Sequence, residues 1–138
     1  MVDYIMTLAS DDAKSKLTND HEIALYVAKV LFKDVLNGLN YLHENGFIHR
    51  DVKLDNIMYS TGDNKCKLGD FTVSTKLTEE DDRMHNHEGT VAFTAPESHV
   101  PDKDGFLPMP TDMWSLGVCL YTVVTETLPF YSSSELEM

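Results

Sequence analysis

The sequence predicts an α+β domain that is mainly helical and carries one small β-hairpin. Three observations predict it. Between residues 19 and 44 apolar side chains recur at three- and four-residue steps; "NIMYS" and "KCKLGD" flank the turn-forming "TGDN"; and "WSLGVCLYTVV" (114–124) is apolar almost without a break. At 138 residues with 42% hydrophobic content, the chain has material for a real core and for one domain or part of one.

Each element follows from local chemistry. Residues 1–6 are short and apolar, like the end of a strand, and 9–20 are polar and loop-like. Asn19 can then cap a helix, with Glu22 three residues on to bond back. Ile23, Val27, Val30, Leu31, Leu39 and Leu42 fall on one face of that helix, and Asn45-Gly46 stops it, because Gly tolerates the left-handed cap. The loop "HRDVKLDN" (49–56) follows, then the hairpin with its turn at 61–64. The stretch 72–110 has no sustained period and holds four of the five prolines, so it reads as a long loop, of the kind that is usually functional. A second helix is predicted from near Thr111 to about Glu126; its apolar residues lie all round, which predicts burial on most sides.

Bulk chemistry excludes several function classes. With 23 acidic residues against 11 basic and a net charge of −12, the chain is a poor nucleic-acid binder, since phosphate binding is driven by Lys and Arg. Cys66 and Cys119 stand far apart and form no C-x-x-C pair, which fits a reduced, cytoplasmic protein without a disulfide or zinc framework. The start "MVDYIMTLASDD" lacks the basic-then-apolar order of a signal peptide. The longest apolar run falls far short of the roughly 20 residues that a membrane span needs.

The polar loop carries the chemistry. Asp51, Lys53 and Asn56 fall within six residues; fourteen residues beyond Asn56 comes Asp70 in "GDFT", then "GTVAFTAPE" (89–97) and "DMWSLG" (112–117). This order of four motifs resembles the catalytic domain of eukaryotic protein kinases, over nearly the whole chain. The resemblance implies a kinase-like fold represented by its mainly helical C-terminal lobe: a hinge at 1–8, a long helix and catalytic loop at 19–59, an activation segment at 70–97 and a buried helix at 111–126. It implies transfer of the ATP γ-phosphate to a protein hydroxyl, with ATP and Mg²⁺ as cofactors and a protein substrate as partner. Such catalysis is mostly positioning and charge neutralisation. Asp51 would orient the hydroxyl and accept its proton, and Lys53 would neutralise phosphoryl charge. Asn56 and Asp70 would be the metal's hard oxygen ligands. Thr90 resembles the threonine that bonds both Asp51 and Lys53, and Lys two residues after the catalytic Asp is the serine/threonine pattern. Met58 would belong to the core and also form the floor under adenine. His49 and Phe71 would pack in an internal spine, Asp112 would anchor the backbone of the catalytic loop, and Glu97 would be structural. Arg50 would be the receiver of an activation-loop phosphate.

Three departures from the family pattern stand out. "DFT" replaces D-F-G; Thr72 is stiffer than Gly, but Asp70 is intact, so replacing Thr72 with Gly is expected to matter little. Thr72, the "VS" beside it and the downstream "GTVAFTAPE" resemble the branch of calmodulin-dependent protein kinase kinases. Second, no glycine-rich loop or strand lysine precedes "VDYIM" (2–6), so the amino-terminal lobe reads as absent and the chain alone is expected to be inactive. Third, the last helices of the large lobe also read as absent; with only Arg50 and Arg83 in the chain, Glu97 loses its usual arginine unless Arg83 substitutes. The rival reading is a catalytically dead kinase lobe that binds a partner or regulatory kinase. Finally, "MHNHE" (84–88) holds no Ser, Thr or Tyr where the activating phosphate usually sits; Glu88 or "EEDD" (79–82) would supply the negative charge instead.

Overall fold

The computed structural model describes residues 19–78, 82–99 and 103–130. The expected hinge at 1–8 and most of the "EEDD" run lie outside them. The described chain is α+β, with two helices and two small antiparallel sheets.

Helix α1 spans Asp20–Glu44. It begins where the cap is encoded, since the Asn19 side chain accepts the Glu22 N–H at 2.9 Å. It ends at Asn45, whose N–H returns to the last carbonyls, and Gly46 takes a left-handed φ of 75°. Val27, Leu31, Val35 and Leu39 repeat every four residues and are buried. Val35, fully enclosed, belongs to this stripe although the sequence reading passed over it.

Strands β1 (Phe47–Ile48), β2 (Ile57–Ser60), β3 (Lys65–Leu68) and β4 (Thr75–Lys76) form two separate pairs. β2 and β3 are the expected hairpin, in register Ile57↔Leu68 through Ser60↔Lys65. The pairing of β1 with β4, Phe47↔Lys76 and Ile48↔Thr75, was not foreseen. Strand alternation turns Ile57 inward and Met58 outward. Met58 is 55% exposed, which corrects the expectation that it packs in the core.

The stretch 72–110 is less irregular than expected. It contains β4, 3₁₀ turns at Val91–Phe93 and Pro96–Ser98, and an antiparallel bridge between Met84 and Phe106. Helix α2 spans Pro108–Thr125, three residues earlier than Thr111, because Pro108 suits a first turn where no N–H is needed. It stops at Glu126, held left-handed at φ 59°.

The core lies where α1, the β2–β3 hairpin and α2 meet, around Leu31, Val35, Leu39, Ile57, Cys66 and Cys119. The Asp34 carboxylate clips α1 to β3 by accepting the Cys66 N–H at 3.0 Å. Burial pushes the Cys119 thiol up to about 12, so both enclosed thiols act as small apolar groups. Only one face of α2 is enclosed. Met113, Trp114, Leu120 and Tyr121 are exposed, with Trp114 stacked on Phe130, which corrects the expectation of burial on most sides. Among the described residues no helix is long and apolar enough to cross a membrane.

Candidate functional site

The polar loop 49–56 is fixed from α2. Asp112, only 1% exposed, accepts the His49 N–H and the His43 ring nitrogen on Oδ2, at 2.9 and 2.8 Å, and the Arg50 N–H on Oδ1 at 2.8 Å. A buried carboxylate is tolerable only when its lone pairs are used in this way. The grip holds Arg50 at φ 72°, a left-handed conformation that few side-chain-bearing residues adopt. His49 is fully buried. Its Nε2 donates to the Gly69 carbonyl at 2.9 Å, which leaves Nδ1 to accept the Asp51 N–H at 3.3 Å. One ring thus joins the loop to the end of β3. Phe71 meets that ring edge-on at 5.1 Å, but remains half exposed rather than packed inside.

Around Asp51 three of the other expected residues converge. Lys53 Nζ lies 2.8 Å from Asp51 Oδ2 and donates to Thr90 Oγ1 at 2.9 Å. Thr90 Oγ1 donates in turn to Asp51 Oδ1 at 2.9 Å. Asn56 Nδ2 donates to the Asp51 carbonyl at 2.8 Å and to its carboxylate at 3.1 Å. Burial would raise the Asp51 carboxyl, but Lys53, Thr90 and Asn56 together hold it below the usual carboxylate range. The hydrogen bond to Asp51, working against burial, raises the Lys53 ammonium. The result is a preorganised, ionised carboxylate with a cation beside it.

Gly89 makes this closure possible. It sits at φ 98°, and a Cβ there would run into the Arg50 carbonyl oxygen. Any side chain would push Thr90 away from Asp51. Behind it, Ser115 of α2 donates to the Phe93 carbonyl at 2.8 Å and holds the segment against the helix.

Asp70 lies at the rim, exposed and left-handed at φ 58°. The charges of Asp51 and Lys53 both act on it, so it shares their neighbourhood. Its own bonds are local: the Thr72 hydroxyl donates to Oδ1 at 2.7 Å and the Thr72 N–H at 3.4 Å, and these contacts keep the carboxyl below its ordinary value. The sequence reading took Thr72 for a backbone effect only. The available signal was an acceptor side chain two residues before a hydroxyl, the spacing of an Asx turn. Met58 reaches over Gly69, where a Cβ would meet its terminal methyl, and keeps an open apolar face.

Arg50 gathers the strand and the segment. Nη2 donates to both the carbonyl and the side-chain oxygen of Asn86 at 3.2 Å, and Nη1 donates to Thr75 Oγ1 at 3.1 Å. Burial lowers its pKa, while the carboxylates of Glu88 and Asp112 oppose that shift. Glu97 is exposed, and Arg83 donates to the Gly105 carbonyl at 3.1 Å. Among the described residues no three His, Cys, Asp or Glu side chains form a metal cage.

A family model for the protein kinase domain matches residues 3–138. The chain is 35% identical over 107 residues to serine/threonine-protein kinase GRIK2 of Arabidopsis thaliana, which covers 78% of this chain and 26% of that protein. It is 38% identical over 122 residues to sperm motility kinase 3A of Mus musculus, covering 88% and 22%. It is 32% identical over 121 residues to the ovarian-specific serine/threonine-protein kinase Lok of Drosophila melanogaster, covering 86% and 25%. The chain spans about a quarter of the length of these curated relatives.

Proposed function

The chain belongs to the protein kinase domain family, and on that premise we propose that it is the larger, mainly helical lobe of a serine/threonine kinase that transfers the ATP γ-phosphate to a protein hydroxyl. The observation that carries this reading is the Asp51 cluster. A carboxylate held ionised by Lys53, Thr90 and Asn56 within 3.1 Å is a base whose direction and charge are set before substrate arrives.

In this reading Asp51 receives the proton of the substrate hydroxyl and aims its oxygen. Lys53 has its ammonium tethered on two sides, by Asp51 and Thr90, and offers charge to the phosphoryl group. Thr90 ties the segment that would bear the protein substrate to the base itself. Asn56 spends Nδ2 on Asp51, which leaves Oδ1 as its ligand atom, and Asp70 presents an ionised carboxylate at the rim. These two residues would hold Mg²⁺, which supplies charge neutralisation on the phosphates when bound. Two protein oxygens suit it, because this ion keeps waters and takes substrate phosphate as ligands rather than sitting in a full protein cage. The exposed apolar face of Met58 over Gly69 is the surface offered to the adenine ring. Residues 70–97 would be the activation segment, and the 3₁₀ turn at Val91–Phe93 the place where it seats on α2.

The test is transfer of labelled γ-phosphate to a protein substrate by the protein at its natural length. Asp51→Ala is expected to lower kcat by about 10²–10⁴-fold. Transfer that survives this substitution would overturn the assignment and favour a binding role for the domain.

A further inference from the structure

The residue after Phe71 is where this chain departs from its family, and the structure gives that departure a chemical use. Asp70 is exposed and has no buried partner to hold its rotamer. Its backbone is left-handed, a conformation that Asp tolerates without favouring. Thr72 supplies two donors to a single oxygen, the hydroxyl to Oδ1 at 2.7 Å and the weaker N–H to Oδ1 at 3.4 Å. Among the described residues, Asp70 Oδ2 takes part in no hydrogen bond or ion pair. The turn is then closed by the Ser74 N–H on the Phe71 carbonyl at 3.1 Å, and the Ser74 hydroxyl on the His49 carbonyl at 3.3 Å ties it to the polar loop. Thr72 thus sits inside a short turn braced at its far end, and its β-branched side chain has restricted χ1 freedom. Glycine at 72 would keep the turn and lose the hydroxyl bond.

We propose that Thr72 is a positioning residue for Asp70: its hydroxyl fixes Oδ1 and so commits Oδ2 to the divalent cation that accompanies ATP. The inference rests on the reading of Asp70 as a metal ligand, and it replaces the sequence expectation that position 72 concerns backbone freedom alone. Groups that orient a metal ligand typically matter by about 10–100-fold in metal affinity. Because Asp70 is exposed, the lower end of that range applies.

The experiment uses the protein at its natural length with Thr72→Val, Thr72→Ser, Thr72→Gly and Asp70→Asn. Two quantities are read: the Mg²⁺ concentration for half-maximal transfer at saturating ATP, and Mn²⁺ binding in the presence of ADP by electron paramagnetic resonance. Thr72→Val and Thr72→Gly are expected to weaken Mn²⁺ binding by about 10-fold, and to raise the Mg²⁺ requirement alike. Thr72→Ser retains the hydroxyl and stays within about twofold of the parent on the same scale. The melting temperature and the KM for protein substrate should not move. Unchanged Mn²⁺ affinity in Thr72→Val, with a clear loss in Asp70→Asn, overturns this inference and leaves the kinase reading standing. Equal weakening in Thr72→Val and Thr72→Ser also overturns it, because the hydroxyl would then not be the agent. Unchanged affinity in Asp70→Asn overturns the metal assignment and the inference together.

Discussion

Asp112 accepts a bond from a left-handed residue and Asp70 is left-handed itself, yet the two regions are built in opposite ways. Asp112 is sealed in α2, and its three donors lie 62 to 69 residues away in sequence. Asp70 is open to solvent, and both its donors come from a residue two positions on. The first region is fixed by the tertiary fold; the second is fixed by its own short turn. On the proposed reading, a base aimed before substrate arrives benefits from the first arrangement, and a metal ligand that must exchange with water and phosphate benefits from the second.

Breaking the two anchors should separate them sharply. Asp112→Ala strands the His49 and Arg50 amides and the His43 ring, and is expected to destabilise the fold by about 3–5 kcal/mol. Asp112→Asn should be milder, because one oxygen still accepts. Thr72→Val, in contrast, should change stability by no more than about 0.5 kcal/mol, as surface changes usually do. Urea unfolding of the three variants checks this. Similar losses at both positions would erase the distinction.

Arg50 tests the boundary between the regions. Its bonds reach Asn86 and Thr75, far in sequence but near the surface. Asn86 stands in the stretch 84–88, which has no Ser, Thr or Tyr, and its amide oxygen accepts a bond from the Arg50 guanidinium. Asn86→Ala removes one hydrogen bond to a charged group and should slow phosphate transfer by about 2–10-fold. Phosphatase treatment of the parent protein should leave its rate unchanged. A rate abolished by phosphatase, with the lost phosphate mapped beside Arg50, would count against this.

The smallest effect is expected where a bond is wholly local and wholly exposed. Lys67 bonds Asp63 at 2.7 Å and holds its carboxyl down at about 2, against an ordinary 3.8. A depressed carboxyl favours the folded form above 3.8, and that contribution fades as pH falls through about 2. Lys67→Met should therefore return the Asp63 titration toward 3.8 by NMR while leaving the unfolding midpoint at pH 7 in place. A shifted midpoint would show that the hairpin turn matters to the whole fold.

What could be read in the sequence follows the same division. Asp51, Lys53 and Asn56 sit within six residues, so their convergence was legible, as were the α1 cap at Asn19 and the hairpin around 61–64. The β1–β4 pair was not, because two-residue strands carry no period and their register is set by the end of α1 and the turn at 71–74. The outward turn of Met58 follows from strand alternation that the apolar letters of "NIMYS" conceal. The three donors on Asp112 were only partly foreseen: the resemblance pointed to the loop backbone, but His43 reaches the same oxygen from the last turn of α1. Nor did a glycine-like position suggest that Thr72 would hold Asp70.

The distance between the polar loop and its anchor also has a meaning in time. His49 leaves the ribosome 63 residues before Asp112, which at about 5–20 residues per second is a wait of roughly 3–13 s. Throughout that interval the Arg50 backbone has no partner to hold it left-handed, and neither Thr90 nor Ser115 is yet secured. The nascent chain can wind α1 and close the β2–β3 hairpin early, since both depend on neighbours. The Asp51 cluster therefore takes its geometry only after α2 has been made and docked against the loop.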